Sequence, residues 1–197
     1  MVRRVSDMHR RGAALRSGLA RGGFGLLVLA MAQTAAAQAP NNPISTTSAS
    51  YGNWQLRCES RKVEARTVKA CEVSTNVMVK ADNGTSGTAA IVAFGRHPDK
   101  EGWQVALQLP IIVWLPTGAK LGIGDEAPLV EASFVACRPT LCSAGATVAD
   151  AVIARLRAAT SDLTVAYRAQ TQQAVKVTLS VKGLPEALAA LGKEMAS

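Results

Sequence analysis

Histidine and aromatic residues are scarce in this chain of 197 residues, which has two histidines and eight aromatic side chains. Beyond residue 37 the only histidine is His97, so a metal site with two histidine ligands is excluded there. A Ser-His-Asp or Cys-His catalytic group would have to use His97. His97 lies in a polar stretch, 95–102, between two strand patterns, which is typical of an exposed loop histidine.

The common motifs of enzyme sites are also missing. The sequence has no G-x-G-x-x-G, no G-K-[ST] phosphate loop, no G-x-S-x-G and no C-x-x-C. Asp125 and Glu126 are adjacent carboxylates, but neighbours on a strand face opposite sides, so a shared site would need a loop. We interpret them as a solvated turn. The sequence therefore indicates a non-enzymatic protein with no catalytic residues, no cofactor and no metal.

The basic character of the chain is concentrated at its start. The net charge is +8, and the first 37 residues hold six arginines and one aspartate, so they carry +5 of it. The remaining 160 residues carry only +3, which weakens the case for the clustered basic face that nucleic-acid binding requires. A nucleic-acid partner is therefore not expected.

The first 37 residues have the pattern of a secretory signal. An arginine-rich start precedes the apolar run Phe24–Ala32, which is nine residues long, and Ala35–Ala37 forms a small-residue cleavage site. A bilayer span needs roughly 20 residues, so this run is too short to cross a membrane. We predict that 1–37 is cleaved and that no transmembrane segment remains. The start codon, Met1 or Met8, and the export route, Sec or twin-arginine, stay open.

Four cysteines follow the leader. An even number in an exported domain indicates disulfides, and four cysteines allow three pairings. The spacings fit neither a four-cysteine zinc site nor a redox pair. We predict the two shortest loops, Cys58–Cys71 and Cys137–Cys142, for which chain entropy gives roughly 3 and 2 kcal/mol.

The rest of the chain predicts one mainly β domain. Residues 38–50 are small, polar and proline-bearing, so we expect a flexible lead-in before a single disulfide-containing domain at 51–197. Large apolar residues alternate with polar ones in several short stretches, Trp54–Glu59 being the first. Such strands favour an antiparallel β-sandwich or a partly closed barrel.

Two helices complete the predicted fold. Apolar residues at helical spacing predict one at 148–159, with Thr147 and Asp150 resembling a capping box. Pro185 opens a short C-terminal helix, as a first-turn proline does.

The segment between Pro110 and Pro116 is the candidate interface. Its residues Ile111, Ile112, Val113 and Trp114 are all apolar, and simple alternation on a strand cannot bury them all. Either both faces are covered by the domain, or one face is exposed and binds a partner.

An ordered set of short motifs runs through the chain from Tyr51 to Leu191. It comprises Gly52-Asn-Trp54, Cys58, Cys71, Leu109-Pro110, Leu115-Pro-Thr-Gly118, Phe134-Val-Ala-Cys137, Cys142 and Leu179–Leu188. Together these resemble the invasion-associated locus B family of exported proteobacterial proteins.

The resemblance implies a periplasmic or extracellular, envelope-associated protein. Its partner would be a protein or a host or envelope component, because some members of the family are linked to entry into host cells. The resemblance implies no enzyme and supplies no active residue. Two alternatives remain: an exported hydrolase using carboxylates or His97, and a periplasmic assembly factor for another envelope protein.

Overall fold

The structure is a computed structural model, and it describes residues 44–80, 84–96 and 102–196. The predicted signal at 1–37, the first part of the lead-in and His97 lie outside the described residues. Ten strands are described: β1 Ser45–Tyr51, β2 Trp54–Val63, β3 Arg66–Lys80, β4 Ser86–Arg96, β5 Trp103–Pro110, β6 Ala119–Ile123, β7 Val130–Cys137, β8 Leu141–Val148, β9 Leu163–Arg168 and β10 Ala174–Leu179. The helices are a 3-10 turn Leu115–Thr117, α1 Asp150–Arg157 and α2 Leu184–Ala196.

The strands form one sheet in the order β1-β2-β3-β4-β5-β8-β7-β6-β9-β10, and every neighbouring pair is antiparallel. The sheet is not closed, so β1 and β10 are its edges. The segment that follows β10 contacts the start of β2. There the indole Nε1–H of Trp54 donates to the backbone oxygen of Ser180 (3.0 Å). The Asn53 N–H donates to the oxygen of Lys182 (3.1 Å). The predicted mainly β, antiparallel fold with two helices is confirmed.

The core follows from the alternation in the strands. In β5 every second side chain is buried, from Trp103 to Leu109, and β2 buries Trp54, Leu56 and Cys58 in the same way. Helix α2 packs on β1–β4 and buries Leu184, Ala187, Leu188 and Leu191 completely. Burying a leucine contributes about 2 kcal/mol, so α2 is a major part of the core.

Two local expectations differ from the structure. Ser45–Tyr51, which includes the last six residues of the expected flexible lead-in, pairs with β2 as an edge strand. All but the last of its side chains are exposed, so its sequence has no apolar alternation to reveal it. Thr147 does not cap α1. It belongs to β8, where its hydroxyl contacts Gln104 Oε1, and the N-cap residue is Ala149.

Asp150 instead connects the helix to the sheet. Its carboxylate accepts a hydrogen bond from the Trp103 indole (2.7 Å). The guanidinium of Arg157, one helix length further, lies 5.8 Å from the Trp103 ring centroid. Helix α1 is therefore positioned on the sheet by contacts at both of its ends.

Candidate binding surface

The segment that follows β5 is fixed to the β9–β10 hairpin through its backbone. The Trp114 N–H donates to the oxygen of Arg168 (2.7 Å), and the Gln170 N–H donates to the oxygen of Ile112 (2.7 Å). Val113 and Ala169 form an isolated antiparallel bridge. The Gly118 N–H then closes the turn on the Leu115 oxygen (3.1 Å). The segment is therefore a defined structure whose backbone groups are largely satisfied.

Only one of the four side chains in the predicted interface is buried. Val113 is 2% exposed and points into the core, whereas Ile111, Ile112 and Trp114 are 45%, 55% and 37% exposed. Leu115, the next residue, is 48% exposed. The sequence left two alternatives, one with both faces of the segment covered and one with a face exposed. The structure shows the second: Val113 is buried and the other three side chains are exposed.

More exposed apolar side chains lie at the same end of their strands. Because neighbouring strands are antiparallel, the β1–β2, β3–β4, β5–β6, β7–β8 and β9–β10 connections all leave the sheet at one end. Met78 and Val79 at the end of β3, and Val135 near the end of β7, are each more than half exposed. We call the following set the apolar end: Met78, Val79, Ile111, Ile112, Trp114, Leu115 and Val135. Among the large hydrophobic residues of the described chain, Ile44 alone is exposed elsewhere.

A bulge explains why sequence alternation missed Val135. Phe134 pairs with Ala144 and Ala136 with Ser143, so Val135 is an extra, unpaired residue in β7. A bulged residue interrupts the alternation of its own strand, and Val135 reaches the surface. The β3–β4 irregularity is different, because its extra residue is Ala89 in β4 and the alternation of β3 continues through Val79.

Positive charge surrounds the apolar end. Lys80, Arg138 and Arg168 are exposed at the ends of β3, β7 and β9. The described residues of these connections and strand ends include no acidic side chain; 81–83, which contain Asp82, lie outside the description. The other ends of the strands carry both signs of charge: the acids Glu64, Asp125, Glu126, Asp150 and Asp162, and the bases Arg61, Arg66, Arg155, Arg157 and Lys182. Among the described residues, the apolar end is therefore purely basic and the other end is mixed.

The adjacent carboxylates do not form a shared site. Asp125 bonds Lys176, and that hydrogen bond and charge hold the pKa of Asp125 below its ordinary value. Glu126 instead pairs with Arg155 (3.0 Å). Each carboxylate therefore has its own cation, which agrees with a solvated turn.

Three surface cavities that are bordered by described residues lie away from the apolar end. The largest, about 420 Å³, lies over Gly95 and is bordered by Arg57, Glu72 and Gln104 on the outer face of the sheet. One of about 280 Å³ lies beside Asp125, and one of about 290 Å³ lies between Tyr51 and Glu186. Charged side chains are among the residues that line each of them.

The structure contains both expected disulfides, Cys58–Cys71 and Cys137–Cys142. Cys58 and Cys71 are opposite each other in the β2–β3 ladder, and Cys137 and Cys142 are opposite each other in β7–β8. Glu194 lies near the first pair, but disulfide sulfurs are poor metal ligands and Glu194 bonds Lys69 (2.7 Å). This group is therefore structural. The second disulfide closes the hairpin beside the apolar end.

These features define a disulfide-bonded, mainly β domain with a basic, apolar end. The family model described as "Invasion associated locus B (IalB) protein" matches residues 54–192, and the chain belongs to this family. The crystal structure of invasion associated protein b from Bartonella henselae is similar, with a TM-score of 0.58 and 16% identity. The match covers 77% of this chain and 99% of that chain, and it shows the shared fold. No curated protein matches the sequence. Within the described residues, no helix is long and apolar enough to span a membrane.

Proposed function

We propose that this chain is an exported envelope protein that acts by binding through its apolar end and catalyses no reaction. The observation that carries the proposal is the set of seven exposed large hydrophobic residues at one end of the strands. Exposed hydrophobic residues scattered singly need no explanation, but a group of them marks a binding site.

The backbone of the segment 111–115 supports this role. Hydrogen bonds to Arg168 and Gln170 fix it, and the buried Val113 anchors it from below. A surface fixed before binding loses little conformational entropy when its partner arrives. The segment is therefore suited to presenting its outward side chains.

Export is supported by three independent features. The first 37 residues have the pattern of a cleaved secretory signal. The four cysteines form two disulfides, which persist in oxidising compartments such as the periplasm. The family to which the chain belongs bears the name of an invasion-associated protein.

The test is fractionation of a Gram-negative host that produces the full chain with a C-terminal tag. We expect a product shortened at its N-terminus that sediments with the envelope after osmotic release. Ile112→Asn should lower the sedimenting fraction about tenfold, because it places an amide in an apolar contact.

Ile44→Asn is the matched control, because Ile44 is equally exposed (62% against 55%) and lies outside the apolar end. Both variants should keep the wild-type melting temperature, since changes at exposed positions alter the free energy of unfolding by about 0.5 kcal/mol or less. An uncleaved product in the cytoplasm would reject export. Equal sedimentation of the wild type and both variants would reject binding through the apolar end.

A further inference from the structure

We infer that the partner of the apolar end is the surface of a bilayer that contains anionic lipid, an inference that rests on the proposed function. Apolar side chains project from two strand ends and one loop, and three exposed cations stand beside them. A peripheral membrane site combines these two elements: apolar groups enter the boundary of the acyl chains, and Lys and Arg contact lipid phosphates.

The charge distribution distinguishes this partner from others. Lys80, Arg138 and Arg168 lie at strand ends beside the apolar residues, where the described connections hold no carboxylate, whereas the other strand ends carry both acids and bases. This polarity orients the domain in the field of a negative surface, with the apolar end towards it. The partner must therefore carry negative charge.

The form of the surface favours lipid over a folded protein. Its apolar side chains project from strand ends and from one loop. A folded protein must offer a fitted pocket for each projecting anchor, whereas a bilayer accepts projecting side chains without one. Trp114 is 37% exposed beside the backbone of Arg168, and tryptophan is enriched at the lipid–water boundary.

Tryptophan fluorescence offers a direct test, because the chain has three tryptophans and Trp54 and Trp103 are buried. The full-length mature protein is mixed with vesicles of phosphatidylcholine and phosphatidylglycerol that carry brominated acyl chains. We expect quenching of the emission and loss of the quenching in Trp114→Phe. Vesicles of phosphatidylcholine alone should bind at least tenfold more weakly, and added salt should release the protein.

Paired charge variants give the control. Lys80→Gln with Arg138→Gln should weaken vesicle binding about tenfold. Arg61→Gln with Arg66→Gln removes the same charge from exposed residues at the other strand ends, and it should weaken binding less than threefold. Equal effects of the two double variants would overturn the site, because they would show a response to net charge alone.

The outcome also separates this inference from the proposed function. If vesicles do not bind while Ile112→Asn still reduces envelope sedimentation, the lipid inference is overturned and the partner is an envelope protein. If neither vesicles nor the envelope bind through the apolar end, both proposals fail. Quenching that survives in Trp114→Phe would also overturn the inference, because the contact would then lie elsewhere.

Discussion

Gly183 lies where the chain beyond β10 meets the turn between β1 and β2. Its φ is +89°, a left-handed conformation, and a Cβ at this position would overlap the backbone oxygen of Tyr51. Gly52 faces the same contact from the other side, with φ +54° and its own Cβ position close to the oxygen of Lys182. Two segments far apart in sequence can therefore approach closely only because neither carries a side chain here.

Gly183→Ala should destabilise the domain by about 3 kcal/mol or more, because the left-handed conformation alone costs about 1–2 kcal/mol and the overlap adds to it. Urea unfolding measures the difference. Gly87→Ala is the control: Gly87 lies in β4, its added Cβ meets nothing within 4 Å, and its backbone is not left-handed. Equal stabilities of the two variants would contradict the close contact.

Tyr167 is a buried tyrosine whose pKa can be measured. Burial in β9 raises its pKa above the ordinary value of 10.0, because the fold disfavours the phenolate. The unfolded chain ionises first as the pH rises. This contribution to stability is thus complete below pH 10 and is lost as the pH rises through the folded pKa.

Absorbance titration of Tyr51→Phe isolates this group, because the chain has two tyrosines. The remaining phenol should titrate above pH 10 in the native protein and near pH 10 in denaturant. A native midpoint at or below 10 would show that Tyr167 is solvated.

At the scale of the elements, the two disulfides differ in how easily a thiol reductant can reach their sulfur atoms. Both sulfur-bearing residues of Cys58–Cys71 are buried under the sheet, whereas Cys137 is exposed at the end of β7. Thiol–disulfide exchange requires a thiolate to reach a sulfur, so access controls the rate. The hairpin disulfide should therefore open first.

Mild reduction followed by alkylation and peptide mass spectrometry tests this order. Cys137 and Cys142 should be labelled well before Cys58 and Cys71, and the difference should disappear in denaturant. Earlier labelling of the β2–β3 pair would contradict the burial of that disulfide.

The elements that could be predicted from the sequence are those with large alternating side chains. Strands β2, β5 and β10 have that pattern, and Pro185 predicts the start of the C-terminal helix. Strand β8 was not predicted, although it lies between β5 and β7, because Leu141–Val148 alternates side chains that are mostly small. Its inward residues include Cys142 and Ala144, which provide little contrast with serine and glycine.

The candidate surface was predictable only in part. The apolar run between the two prolines is visible in the sequence, but its exposure depends on hydrogen bonds to Arg168 and Gln170, more than 50 residues away. Val135 reaches the surface because it is the extra residue of a bulge, and a single sequence does not mark where a bulge occurs.

At the scale of the whole molecule, helix α2 completes the core of the first strands. A chain that ends at Lys182 loses three fully buried leucines, worth roughly 6 kcal/mol against a typical total of about 5–15 kcal/mol. It should show no cooperative thermal unfolding by circular dichroism. A chain that ends at Met195 keeps these side chains and should unfold like the wild type. Cooperative unfolding of the shorter chain would show that the sheet is stable without α2.

The contact between Asn53 and Lys182 has a consequence for how the protein is made. Trp54 and Ser180, which also bond there, are 126 residues apart in sequence. A chain that emerges N-terminus first, from a ribosome or a translocation pore, exposes its early strands long before their final partners arrive. Such long-range closure slows folding and leaves apolar surface open to chaperones. The contacts of Trp54 and Asn53 with this segment therefore form only after almost the whole chain has emerged.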